Sequence, residues 1–207
     1  MRRKLLAIVK ALAVVLLATP LFETAQAWGW RRPLTFEATF ELRNPATTPY
    51  PGGVDVTSIT NEYFGPTDPA LITPQNPEGH KYHVMKGYAI WGTADCGPLG
   101  IGKLTMTQNY WLNNLETKKG IISLIYHLEF DGDHGNYMGT LTGNSFGIIW
   151  LVGDIWYTKE IVMFLEGTGD FNNVKMTAGV NWNVDFAEGP LQFIYYGEMM
   201  CTAWGLP

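Results

Sequence analysis

Residues 164–183 have the sequence FLEGTGDFNNVKMTAGVNWN, and this stretch decides the fold of the chain. One strand arrives, a glycine-bracketed corner follows at residues 167–170, and a second strand leaves. In the departing strand every second residue is apolar, namely Val174, Met176, Ala178, Val180, Trp182 and Val184. A period of two is typical of a β-strand with one buried face. No helix pattern and no third glycine follow the corner, so we interpret it as structural rather than as a phosphate-binding loop.

The same alternation recurs along most of the chain. It predicts strands at residues 34–43, 80–91, 101–112, 120–130, 136–143, 160–167, 174–184 and 191–201, whereas residues 146–158 show no clear pattern. A strand of about 11 residues spans roughly 36 Å, a length that suits a tilted barrel better than a sandwich. Sequential hairpins favour closure, which removes exposed edges. The sequence therefore predicts an all-β fold, a single antiparallel up-and-down β-barrel of about eight strands, with a jelly-roll β-sandwich as the alternative.

The first 27 residues have the three parts of a signal peptide. Arg2, Arg3 and Lys4 form a basic start, residues 5–17 are apolar apart from Lys10, and small residues stand at 25 and 27. The apolar run is too short to span a bilayer. We therefore predict cleavage after residue 27, no integral membrane span after cleavage, and a single barrel domain at 28–207. The mature protein would be exported, that is secreted, periplasmic or on the cell surface.

Removal of the leader makes the chain more acidic. The leader holds four of the 14 basic residues and one of the 19 acidic ones, which leaves 10 bases against 18 acids. Nucleic acids and anionic lipids are bound through clustered Lys and Arg, which this chain lacks. We expect no nucleic-acid partner.

Residues 44–79 differ from the rest in composition, because they contain seven of the twelve prolines. We predict a long ordered loop with one short strand at 54–60. Loops of this length in compact domains are often functional, and we interpret this one as a lid over one end of the barrel.

Cys96 and Cys201 are the two cysteines. An even count in an exported protein predicts one disulfide bond between them. The histidines at 80 and 83 lie three residues apart in a strand, which places them on opposite faces. The Asp131–Asp133 turn lacks the later ligands of a calcium loop. The sequence predicts no metal site.

Six carboxylates have acid–base potential: Glu160, Glu166, Asp170, Asp185, Glu188 and Glu198. Glu198 is the catalytic candidate, because it shares a strand face with Ile194, Tyr196 and Met200. A carboxyl group buried among such neighbours would have a raised pKa, as general acid–base chemistry requires. The competing interpretation is that this face points outward.

Aromatic residues are frequent, with eight tryptophans and ten tyrosines. In an exported β-protein they could line a cavity for an apolar ligand, stack on a sugar or a protein from the surface, or fill the barrel interior. We select Trp91, Trp111, Tyr126 and Tyr196 as candidate ligand-binding residues.

The segment 120–184 resembles the calycin-like barrels of the allene oxide cyclase and dirigent type. The matching pieces are Gly-Thr-Leu-Thr-Gly at 139–143 and Gly-Thr-Gly-Asp-Phe at 167–171, and a long alternating strand follows the second. Residues 172–176 depart from the glycine-rich pattern of that family. The resemblance covers about a third of the chain and implies an eight-stranded barrel with an apolar cavity, no cofactor and frequent oligomerisation. It does not assign catalytic residues.

These observations leave three functions open. The first is a secreted barrel that binds a small apolar or aromatic ligand in an aromatic-lined cavity. The second is a cofactor-independent cyclase or isomerase, and the third is an extracellular module that binds a glycan or a protein. An outer-membrane barrel is a fourth alternative, because eight strands of this length can span a membrane. It is less favoured than the other three. Whether the chain is an enzyme is left open, and a homo-oligomer is expected only from the resemblance.

Overall fold

The computed structural model describes residues 32–43, 60–114, 118–185 and 194–207. The described residues from Leu34 to Pro207 form one compact unit. The predicted signal peptide and the predicted strand at 54–60, apart from its last residue, lie outside the described residues. No helix in the described ranges is long and apolar enough to cross a membrane.

Nine strands make up the described chain. They are β1 (Leu34–Arg43), β2 (Thr60–Thr67), β3 (His80–Asp95), β4 (Ile101–Asn114), β5 (Lys119–Asp131), β6 (Met138–Val152), β7 (Ile155–Gly167), β8 (Lys175–Asp185) and β9 (Ile194–Trp204). Each of β3 to β8 pairs antiparallel with the next strand along the chain, and β1 pairs with both β9 and β3. Eight strands therefore close into the predicted up-and-down barrel, and the sandwich alternative is excluded.

The period-two pattern decides which side chains point inward. In β8, Met176, Ala178, Val180, Trp182 and Val184 are all buried, and the residues between them are not. Phe36, Ala38, Phe40 and Leu42 of β1 follow the same rule. The hydrophobic core is thus the interior of the barrel.

The corner at 167–171 fastens β7 to the start of β6. Thr168 N–H donates to Thr140 O at 3.0 Å, and Asp170 Oδ2 accepts from Met138 N–H at 2.8 Å. At Gly139, which has a φ of 138°, an added Cβ would lie 2.1 Å from Thr168 O. The two glycine motifs on which the resemblance depends are therefore in contact, and the corner is structural.

The predicted loop at 44–79 is partly wrong. Residues 60–67 form β2, which pairs with β3 from His80 to Lys86 as a ninth strand. A 3-10 turn at Pro69–Leu71 follows, with Asp68 accepting from Ala70 N–H. Gly65 and Pro66 interrupt the register of β2, which explains why the sequence shows no clean alternation there.

The predicted disulfide is also wrong, because Cys96 and Cys201 are both free and buried. Burial raises the pKa of each thiol to about 12, and for Cys96 the proximity of Cys201 adds to this effect. A thiol that keeps its proton at neutral pH is a poor nucleophile. The even cysteine count identified two neighbouring residues, but they act as small apolar members of the core.

Candidate functional site at the polar end of the barrel

The two ends of the barrel interior differ in chemistry. At the end where β5 joins β6 and β7 joins β8, the rings of Phe130, Phe171 and Tyr137 pack together with centroids 5.0 and 5.6 Å apart. This end is filled by apolar side chains. The interior near the opposite end, where β6 joins β7 and β8 joins β9, contains a carboxylate, an amide and several hydroxyl groups, and we call it the polar end.

Glu160 is the carboxylate of the polar end, and it is only 3% exposed. Its Oε1 accepts from Trp182 Nε1 at 2.6 Å. Its Oε2 accepts from Ser145 Oγ at 2.5 Å and from the Tyr126 hydroxyl at 3.3 Å. Strands β5, β6, β7 and β8 therefore each contribute one member to the cluster, and both carboxylate oxygens are hydrogen-bonded.

Glycines on β6 make room for this cluster. Gly143, Ser145 and Gly147 occupy inward positions where the other strands place large side chains. A Cβ at Gly147 would lie 2.5 Å from Glu160 Cγ, and one at Gly143 would lie 2.8 Å from the Phe164 ring. Larger residues here would displace Glu160 or Phe164, so the glycine spacing is a local requirement of the site.

Burial sets the protonation behaviour of the cluster. Desolvation raises the pKa of Glu160 above its usual value, and the four hydrogen-bond donors Ser145, Trp182, Thr158 and Tyr126 oppose that rise in part. Burial, reinforced by the adjacent Glu160 carboxylate, raises the pKa of Tyr126 well above its usual value. A buried carboxyl group with a raised pKa can exchange a proton with a bound molecule.

Four tyrosines extend the polar end towards β2. Trp182 packs edge-on against Tyr195, with ring centroids 5.3 Å apart, and the Tyr195 and Tyr88 side chains are hydrogen-bonded. Burial raises the pKa of Tyr110, and the nearby Tyr63 and Tyr88 hydroxyls raise it further. These phenols stay neutral and can donate or accept hydrogen bonds.

His83 connects these tyrosines to β2. It stacks on Tyr63 with ring centroids 4.3 Å apart, and it meets Tyr110 edge-on at 5.4 Å. Its Nε2 lies 3.0 Å from Asn61 Oδ1, and burial lowers its pKa. The neutral imidazole is thus part of the aromatic packing.

Gln108 is the amide of the polar end. It is 3% exposed, lies between Tyr88 of β3 and Leu124 of β5, and shares the inward face of β4 with Tyr110. Its Nε2 has no hydrogen-bond partner in the part of the chain that the structure describes. A buried donor without a partner is costly and requires an explanation.

The sequence-predicted ligand residues do not form one site. Tyr126 lies inside the barrel in the cluster, as expected of a cavity residue. Trp111 and Tyr196 point outward and are 36% and 50% exposed. Trp91 is buried, but it precedes the inward Gly92 and therefore lies on the outer side of β3.

Glu198 does not meet the condition set for a catalytic residue, because its side chain is exposed on the outer face of β9. Tyr196 and Met200, whose shared face suggested burial, are themselves about half exposed. The inward face of β9 contains Tyr195, Met199 and Cys201 instead. Glu160 was one of six candidate carboxylates, and its parity with Val162 and Phe164 was the signal that could have selected it.

The remaining histidines make local contacts. His80 Nε2 lies 2.8 Å from Glu78, His134 Nδ1 lies 3.7 Å from Asp131, and His127 Nδ1 lies 2.9 Å from Thr142 Oγ1. Within the described ranges, no three His, Cys, Asp or Glu side chains are grouped as metal ligands.

Comparisons of the whole chain with protein-family models, with curated proteins and with solved structures find no match. The case for any function therefore depends on the geometry of the barrel.

Proposed function

We propose that this protein is an exported β-barrel that binds a small, mostly apolar molecule at its polar end. The tyrosine rings of Tyr88, Tyr110, Tyr126 and Tyr195 provide apolar surface with hydroxyl groups at the edge. The ligand would carry a hydrogen-bond acceptor, such as a carbonyl oxygen, for Gln108 Nε2. Ligand sites of this kind combine aromatic walls with a few placed polar groups.

The unpartnered Nε2 of Gln108 is the observation that carries the proposal. Ser145, Trp182 and Tyr126 all donate to Glu160, so their polar atoms are used within the protein. Gln108 alone in this group keeps a buried donor with no partner in the described chain. A bound acceptor would remove that cost.

Fluorescence titration with Prodan, a neutral naphthalene ketone, tests the proposal. We expect saturable binding with a blue-shifted emission, because the probe enters an apolar site and its ketone accepts from Gln108. Gln108→Leu should weaken binding by about 3- to 10-fold, the equivalent of one hydrogen bond. Trp111→Ala, on the outer face, is the matched control and should bind Prodan as the unmodified protein does. Absence of a blue shift, or equal effects of the two substitutions, would contradict the proposal.

A second candidate function is a cofactor-independent isomerase or cyclase, and the buried Glu160 favours it. Its carboxylate would remove a proton from the carbon next to a carbonyl group and return that proton at another position, while Gln108 Nε2, which holds the carbonyl oxygen, would stabilise the intermediate oxyanion. Deuterium exchange from D₂O into the propionyl CH₂ of Prodan would report the first step. Catalysis would be supported if Glu160→Gln abolished the exchange without weakening Prodan binding. If the protein exchanged deuterium no faster than buffer alone, the isomerase proposal would be refuted and only the binding function would stand.

We also infer that the barrel associates with a second copy of itself. The outer faces of β5, β6 and β7 carry a contiguous apolar patch of side chains that are 45–69% exposed: Ile125, Phe146, Ile148, Ile161, Met163 and Leu165. Phe146 lies directly across from Ile161, and Ile148 from Ile121. Clusters of exposed apolar side chains often mark protein–protein contacts.

A further inference from the structure

A groove crosses the outer surface on the side of the barrel that includes β8 and β9. Two depressions of about 400 and 450 Å³ adjoin there, and both are lined by Tyr196, Gly197 and Glu198. The first extends to Trp150 of β6 and the second to Thr93 of β3. From β6 to β3 there are five of the eight strand intervals of the closed barrel, so the groove curves around the barrel wall. The part from Trp150 on β6 to Tyr196 on β9 covers three intervals, or roughly 14 Å.

The strand register aligns one row of aromatic and polar side chains along this groove. Successive cross-strand partners are Trp150, Tyr157, Asn183, Tyr196, Glu41 and Thr93. The Trp150 and Tyr157 rings lie in planes only 18° apart, with centroids separated by 6.0 Å. We call this set the aromatic row. It presents ring surface at two points along the groove, at the Trp150–Tyr157 pair and at Tyr196.

A second row lies two residues further along each strand. Its members are Lys159, Asn181, Glu198, Thr39 and Asp95, each the cross-strand partner of the next. All five side chains are exposed. This polar row offers amide, hydroxyl and carboxylate groups parallel to the aromatic row.

Gly197 is the inward-facing residue at the centre of the groove. The Phe40 ring fills the space on the inner side of this glycine, because an added Cβ would lie 2.1 Å from Phe40 Cζ. The outward neighbours Tyr196 and Glu198 therefore stand on either side of a flat piece of backbone. The arrangement is fixed by the barrel wall and needs no loop movement.

We propose that this outer groove binds a linear neutral polysaccharide. The apolar faces of sugar rings pack on aromatic side chains, and their hydroxyl groups hydrogen-bond with amides and carboxylates. Arg43 pairs with Glu41 at 2.9 Å, and the other charges of the two rows are the carboxylates Glu198 and Asp95 against one amine, Lys159. The groove therefore offers an acidic chain no net attraction. The site lies outside the barrel and is independent of the polar end.

Binding of cellohexaose, xylohexaose, maltohexaose and the acidic hexamer of galacturonic acid, followed by tryptophan fluorescence, tests this proposal. We expect at least one neutral hexamer to bind and the acidic hexamer not to bind. Tyr196→Ala should weaken binding about tenfold or more, as loss of a central aromatic contact does. Asn181→Ala should weaken it less, and Gln108→Leu, inside the barrel, should leave it unchanged.

Three results would overturn the proposal: no binding of any neutral hexamer, tighter binding of the acidic hexamer, or full binding by the folded Tyr196→Ala variant. Failure to bind sugars together with Tyr196-dependent capture of a protein from the host extract would assign the groove to a protein partner instead. Prodan binding by the same samples reports the polar end separately, so the two sites can fail independently.

Discussion

Replacing Gln108 with leucine should stabilise the ligand-free protein, although it changes a buried polar residue. Gln108 is 3% exposed and its Nε2 has no partner in the described chain. A buried donor left unpaired costs about 1–3 kcal/mol. Leucine removes that cost, but its imperfect fit among the packed neighbours would destabilise the protein by up to about 1.5 kcal/mol. We therefore expect the free energy of unfolding to rise by roughly 1 kcal/mol, near the middle of the range of about −0.5 to 3 kcal/mol that these two figures span.

Ser145→Ala is the matched comparison, because Ser145 is a buried polar residue with its partners in place. Its Oγ donates to Glu160 and accepts from Leu124 N–H at 3.1 Å. The alanine leaves one buried backbone donor unpaired and removes a donor from a buried carboxylate, at a cost of about 2–4 kcal/mol. The two substitutions should therefore change stability in opposite directions.

Urea unfolding followed by tryptophan fluorescence measures both effects. The slope of the unfolding free energy against urea concentration should be the same in all variants if unfolding stays two-state. If Gln108→Leu loses as much stability as Ser145→Ala, Gln108 has a structural partner, and the argument for a ligand acceptor fails. A gain in stability combined with weaker Prodan binding is the pattern expected of a residue kept for function.

Three further predictions concern other features of the barrel. Gly147→Ala should destabilise the fold by about 1–3 kcal/mol because the new methyl group would clash with the backbone carbonyl oxygen of Lys159 and with Glu160, whereas Gly179→Ala, with open space around it, should change the urea midpoint little. Because burial raises the pKa of Glu160 in the folded state, the native protein should lose stability relative to Glu160→Gln as pH rises from about 4.5 through that raised pKa; equal differences at every pH would contradict this. Ile161→Lys should reduce the mass measured by light scattering to that of a monomer while Ile72→Lys does not, and a monomeric native protein would refute self-association.

The alternation of apolar residues predicted most of the barrel. Strand β8 shows it in full, from Met176 to Val184, and its inward face is the predicted one. Strand β6 was obscured because its inward positions hold Gly143, Ser145 and Gly147, while its outward positions hold Phe146 and Ile148. In the sequence, a strand face of glycine and serine looks like a solvent-exposed face. Only the structure shows that large side chains of neighbouring strands cover it.

The site was harder to predict than the fold, because strand parity alone does not say which face is inside. Glu198 and Glu160 both alternate with apolar residues, and only the closure of the barrel places Met200 outside and Val162 inside. The cysteine pair shows the same limit, since residue count and compartment indicated a bond that the structure does not contain. Contacts between distant strands decide both cases.

Mass spectrometry under native conditions, applied to the protein purified from its own host, tests the central proposal most directly. We predict that the unmodified protein carries a small molecule of discrete mass, and that Gln108→Leu carries none or much less of it. Bare protein in both samples, or the same adduct retained equally by both, would contradict a ligand site at the polar end of the barrel.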